Sequence, residues 1–155
     1  MKFSTREDVA APIDVVFAEM SDFAHFERQA LRRGAQVRRL DSGPYQVGTN
    51  WDVRFKFRGK ERHLIARLER FEQPQVIQVD SKAAGIEGVT LIELVPLSPA
   101  RTRIAASIDL RARTLTARLV LQSMKLAKAN LTNRFKKRIG EYAEMIEEKH
   151  NGPRF

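Results

Sequence analysis

Residues 50–70 constrain the fold more than any other stretch. Trp51, Val53, Phe55 and Phe57 alternate with Asp52, Arg54, Lys56 and Arg58, and after Gly59-Lys60 a second alternating run extends from Arg62 to Arg70. A period of two marks strands with one apolar face. A two-residue Gly59-Lys60 loop with glycine first is a type II′ hairpin signal. It sets Arg58 opposite Glu61, Phe55 opposite Leu64, Val53 opposite Ala66, Asp52 opposite Arg67 and Trp51 opposite Leu68. Apolar residues then face apolar ones, charges face opposite charges, and a slip of one residue undoes both matches. Trp51, Phe55, Leu64 and Leu68 share the apolar face, and the same alternation puts Arg62 and Arg70 there.

The rest of the chain extends this sheet. Residues 2–10 read as a strand ending at Ala11-Pro12, and Pro12 suits the first turn of a helix. Ile13, Val16, Phe17 and Met20 have helical spacing; Phe23, Phe26, Ala30 and Leu31 give a second short helix that Ser21 or Asp22 caps and Gly34 stops. Further strands are expected near 36–41, 75–82, 88–95 and 102–111, separated by Asp41-Ser42-Gly43-Pro44, Gln73-Pro74, Ala84-Gly85 and Pro96-Leu97-Ser98-Pro99. From about Thr114 to Lys149 the period becomes helical, with Ala117, Val120, Leu121, Met124, Ala127, Leu131, Phe135, Ile139, Tyr142, Met145 and Ile146 on one stripe. One helix of that length spans about 54 Å. Gly140 is its expected weak point, and Asn151-Gly152-Pro153 ends it.

The fold class is therefore α+β: a curved antiparallel sheet gripping a long C-terminal helix, as one domain over residues 1–150 with a short tail at 151–155. A chain of 155 residues, 43% of them hydrophobic, suits one such core. Charges at Arg6, Glu7 and Asp8 interrupt any secretory core, and no apolar run reaches the ~18 residues of a membrane span. The expected location is the cytoplasm. Without cysteine there is no disulfide framework and no thiol nucleophile.

The order of strand, two short helices, strand run and long helix, opening with KFSTREDVAAPIDVVFAEMSDFAHFE, resembles the START-like (SRPBCC) superfamily. The resemblance runs from Lys2 to about Lys149 and points to the bacterial polyketide cyclase/dehydrase-like branch. It implies a seven-stranded sheet around the helix, with a deep cavity between them. It also implies ligands drawn from lipids, sterols, polyketides, plant hormones or aromatic compounds. No residue is catalytic throughout that superfamily, so none is carried over.

The residues themselves carry no catalytic motif. His25, His63 and His150 lack metal-ligand spacing, and there is no nucleophile elbow or phosphate loop, so neither metal nor cofactor is expected. Three readings follow. The first is a binding protein, with a transport role open to it, for a hydrophobic or amphipathic small molecule such as a lipid, isoprenoid or aromatic compound. Trp51, Phe55, Arg62, Leu64, Leu68, Ile92, Met124, Lys128, Leu131 and Phe135 are its expected cavity residues, the cations meeting an anionic or carbonyl group. Lys128 and Arg138 fall within the apolar stripe, where a buried cation needs a partner. The second is a metal-independent cyclase or dehydratase, which requires an inward strand acid from Glu7, Glu93 and Asp109, or Arg62. The third is a membrane-surface or protein-interaction module.

The third reading rests on charge. The net charge is +9, and from Arg113 to Arg138 the chain has eight Lys/Arg and no acid, against the preference of the helix dipole. Leu115, Leu119 and Leu126 fall opposite the main stripe beside Arg118 and Lys125, a patch suited to a homodimer or to an anionic membrane surface. The basic strand face Arg54, Lys56, Arg58 lacks interleaved aromatics, so nucleic acid is not the expected partner.

Overall fold

In the computed structural model, which describes residues 1–57 and 59–152, the expected elements assemble in the expected order. β1 (Lys2–Val9) leads into α1 (Ile13–Met20) and α2 (Phe23–Arg32). Six strands follow: β2 (Gln36–Arg39), β3 (Asn50–Phe57), β4 (Lys60–Glu72), β5 (Val76–Ala83), β6 (Ile86–Ser98) and β7 (Arg101–Ala112). The chain closes with α3 (Leu115–Lys125) and α4 (Lys128–Asn151). The strands form one curved, seven-stranded antiparallel sheet in the order β1-β7-β6-β5-β4-β3-β2, the helix-grip architecture that the resemblance implied.

Side chains alternate across the sheet, so register defines an inner face. Phe3, Thr5, Glu7 and Val9 of β1 lie opposite Ile108, Ala106, Ile104 and Thr102 of β7, and these continue through Thr90, Ile92 and Leu94 to Val79 and Ile77. On the far side Trp51, Val53 and Phe55 lie beside Ala66, Leu64 and Arg62. The hairpin register therefore differs from expectation by two residues. Phe57 pairs with Lys60, Phe55 with Arg62, Val53 with Leu64 and Trp51 with Ala66. Asp52 faces Ile65, and Arg67 faces Asn50. The turn falls between Phe57 and Lys60, and within it Gly59 has a φ of 74°. Leu68 fixes the other end, where its N–H donates to Thr49 O at 2.9 Å and its carbonyl accepts from Gly48 N at 2.8 Å. The expected Arg58–Glu61 pair lies outside the described residues; Glu61 pairs with Lys56.

A second correction concerns Arg70. The β4–β5 register shifts between Leu68 and Arg70, so a bulge reverses the alternation. Phe71 then takes the inner position against Ile77, while Arg70 pairs with Gln78 on the outer face and binds Glu72 at 2.6 Å.

The long helix is interrupted. Leu126 and Ala127 donate to Ser123 and Met124, three residues back, at 3.3 and 3.0 Å, and Ala127 leaves helical geometry at φ −106°, ψ 12°. The break falls where residues 125–130 are all exposed, with no packing to hold them in line. On either side the helices dock on different surfaces: Ala117 and Leu121 bury α3 against the end of β7, and α4 lies along β1. Gly140 does not interrupt α4. It lies over Glu7, and a Cβ there would sit 4.0 Å from the Glu7 carboxyl carbon, an ordinary contact. The end of α4 is tied to the first strand: Glu147 Oε1 accepts from Ala10 N at 2.8 Å, and Asn151 Nδ2 donates to Ala10 O at 2.6 Å. No helix among the described residues is long and apolar enough to cross a membrane.

Candidate functional site

The space between the inner face and the helices is closed at one end and open at the other. At the closed end, where β1 turns into α1, Val9, Trp51, Leu68, Ile77, Leu94, Thr102 and Ile104 are all buried, and Ile139, Ala143 and Ile146 of α4 cover them. An aromatic cluster seals this end. The Phe23 ring lies 5.5 Å from Trp51, 5.2 Å from Tyr45 and 5.7 Å from Phe71, which stacks on Phe17 at 5.6 Å. Arg39, opposite Trp51 in the register, places its guanidinium 4.1 Å from the Tyr45 ring centre. The Tyr45 hydroxyl donates to Glu27 at 2.7 Å; burial first and this carboxylate second hold its phenol above the ordinary range.

Toward the β3–β4 tip the same face loses its cover. Val53, Phe55, Arg62, Leu64, Ser81, Thr90 and Ile108 are only half-buried. On the helices, Met124, Leu131 and Phe135 are half-buried as well. The inner face is thus closed at the aromatic cluster and uncovered toward the β3–β4 tip.

The expected cavity residues divide along this gradient. Trp51 and Leu68, at 7% and 0% exposure, belong to the core. Phe55, Arg62, Leu64, Ile92, Met124, Leu131 and Phe135 are the half-buried members. Lys128 is exposed at the start of α4, and Arg138 is exposed on a groove wall, so neither is a buried cation in the helix stripe. Val120 and Ala127 leave the stripe too, both exposed. Arg62 keeps its inward position, and its Nε donates to Phe57 O at 3.4 Å. Among the strand acids, Glu93 and Asp109 point outward; Asp109 lies near the N-terminal amine and Arg111. Glu7 alone of the three faces the helix, accepting from Thr5 Oγ1 at 3.2 Å. His63 is on the outer face, opposite Arg54 rather than Lys56, and bonds Asp52.

Two concavities flank the C-terminal end of α2, both touching Ala30 and Arg33. One, of about 500 Å³, separates α2 from α4 and is walled by Phe26, Tyr142 and Met145 with Arg33, Arg138 and Glu141 at its rim. The Phe26 and Tyr142 rings lie 5.3 Å apart, and burial holds the Tyr142 phenol above the ordinary range, against a weaker opposite pull from Arg33. The other, of about 690 Å³, runs from Gly34 to Phe55 and Glu61. Spacing placed Phe26 and Tyr142 on apolar faces, but nothing in either segment signalled that the two faces would meet.

Comparison with known proteins bears on the fold. No family model matches the chain, and no curated protein matches it in sequence. Solved structures do match it. Norcoclaurine synthase from Thalictrum flavum is 15% identical over 100% of this chain and 88% of its own, with a TM-score of 0.67. The Zhui aromatase/cyclase from Streptomyces sp. R1128 is 16% identical over 93% of each chain, at 0.64. Ara h 8.0201 is 12% identical over 94% and 98%, at 0.60. The chain thus has the helix-grip fold of these structures.

Proposed function

We propose that this protein binds a hydrophobic or amphipathic small molecule, of the lipid, isoprenoid or aromatic class, in the cleft between the sheet and α4. One observation carries the reading. Apolar side chains, Phe55 and Leu64 on the inner face of the sheet and Leu131 and Phe135 on α4, stay half-exposed although the same strands close completely a few residues away. Apolar surface left open inside a concave fold gains by covering it with a ligand, at about 25 cal/mol per Å². Such a pocket also needs a few placed polar groups to orient its guest. Inward-facing Arg62 offers one at the open end, suited to an anionic or carbonyl head. The norcoclaurine synthase of similar fold was solved with dopamine and hydroxybenzaldehyde, molecules that fit the aromatic class.

The test is thermal melting of the purified protein with a panel of a fatty acid, a prenyl alcohol and a bicyclic aromatic acid, followed by titration with the fluorescent probe anilinonaphthalene sulfonate. A rise in melting temperature with at least one compound, and competition between it and the probe, is the expected result. No shift with any of them, and no saturable probe binding, overturns the proposal.

A further inference from the structure

The outward face of α3 carries the three most exposed large apolar side chains among the described residues. Leu115, Leu119 and Leu126 are 73%, 58% and 92% exposed. At 100° per residue they lie within about 40° of one another, directly opposite the buried Ala117 and Leu121. Arg118 and Lys125 flank this row, and Lys128, Arg134, Lys136, Lys137 and Arg138 continue the basic run onto α4. None of these seven cations is in an ion pair among the described residues, and no acid lies between Arg113 and Arg138.

We infer that this face docks on an anionic lipid surface, leucines in the acyl boundary and cations against the headgroups. The charge selects the occupant. A second copy meeting the same patch would bring two unpaired basic rows together on chains that each carry +9, and like charges at an isologous contact repel. A row of protruding leucines with flanking cations matches the interfacial amphipathic helix. Anionic lipid supplies both the apolar phase and the opposite charge. The placement has a consequence for the cleft. Met124 precedes the Leu126–Ala127 break, and Leu131 and Phe135 follow it, so the docked segment continues directly into the half-buried helix residues of the proposed cleft. A cleft ligand would then be exchanged with the bilayer. That consequence rests on the proposed ligand binding, whereas the docking itself does not.

Cosedimentation with phosphatidylcholine vesicles, with and without phosphatidylglycerol, tests the docking. The protein is expected to sediment only with the anionic vesicles, and less so as salt shortens the screening length. The double variant Arg118→Glu/Lys125→Glu should lower the partition coefficient by roughly tenfold or more. Leu115→Ser/Leu119→Ser/Leu126→Ser should lower it by roughly as much at unchanged melting temperature, since all three side chains are solvent-facing. Failure to sediment with anionic vesicles overturns the inference, including the case where the face serves an acidic protein. So does undiminished binding by either variant, or leucine-dependent dimerisation without vesicles. Probe titration in solution reads the cleft separately: docking without probe uptake refutes only the ligand exchange.

Discussion

Leu64 and Leu68 lie on the same strand and the same face, four residues apart, and the cleft predicts opposite consequences for truncating them. Leu68 is 0% exposed and is hydrogen-bonded through its backbone to Gly48 and Thr49. Its removal leaves a closed void among Trp51, Ile77 and Leu94. Leu→Ala at such a site costs about 3 kcal/mol, the lower-middle of the measured range. Leu64 is half-buried and faces Val53 across the hairpin. Truncating it widens a space already open to water, so the cavity penalty is absent and only part of the transfer energy is lost, about 1 kcal/mol. At roughly 3 °C per kcal/mol for a chain of this size, Leu68→Ala should melt ~9 °C lower and Leu64→Ala ~3 °C lower. Binding should run the other way, with Leu64→Ala weakening uptake of anilinonaphthalene sulfonate and the stabilised fraction of Leu68→Ala retaining it. Circular-dichroism melts and a probe titration on the three proteins decide the matter. Equal destabilisation by the two substitutions, with probe affinity unchanged in Leu64→Ala, would refute the division into closed core and open cleft.

Two further outcomes follow from local geometry. The β5–β6 hairpin loop is Ala84-Gly85, with φ of 48° and 80°, and a Cβ on Gly85 would lie 2.6 Å from the hydroxyl of Thr114, the residue that caps α3 at Ala117 N. Gly85→Ala should therefore cost about 2–3 kcal/mol in urea unfolding from backbone strain plus a lost cap, and Ala84→Asn should gain up to about 1 kcal/mol; a neutral Gly85→Ala would show that the turn does not abut the cap. Tyr45 and Tyr142 both hold their protons more tightly when folded, each chiefly through burial. Above about pH 10 the unfolded chain loses those protons first and binds fewer than the native state, so stability should fall as pH rises from there and be unaffected by these groups below it. Urea melts across the alkaline range should show that slope flattened in Tyr45→Phe/Tyr142→Phe, and an unchanged slope would assign the loss to other groups.

What the sequence concealed has one common cause: features set by contacts between distant segments. The bulge between Leu68 and Arg70 carries no glycine or proline, so period two ran straight through it and left Arg70 on the wrong face. The β5 strand makes it visible, because Phe71 must meet Ile77. Likewise, helical spacing from Thr114 to Lys149 has no internal stop signal at Leu126–Ala127, whereas Gly140, the residue that propensity marks as weak, sits in unbroken helix against Glu7. The break is decided by two docking surfaces, the end of β7 and the length of β1, and neither is written in the helix itself. Leu115, Leu119 and Leu126 were legible as a second apolar row, but only their exposure separates a covered helix from a free face.

The hairpin shows why the face of the site survived an error in its register. In an antiparallel pair the two partners' residue numbers sum to a constant, and the side-chain period of two means that only the parity of that sum decides which residues share a face. The charge and apolar matches fixed the parity. They did not separate a loop at Gly59-Lys60 from one at residues 58–59, because Lys56 can meet Glu61 as well as Arg58 can, and Val53 meets Leu64 as well as Phe55 does. Gly59 at positive φ and the bond from Leu68 N–H to Thr49 O select between them. Phe55, Leu64 and Arg62 therefore remained inward under either register. What parity cannot give is depth. Trp51, Leu68, Phe55 and Leu64 are equivalent in the alternating pattern, and only the helices that cover one end of the strands make the first two core and leave the last two half-buried.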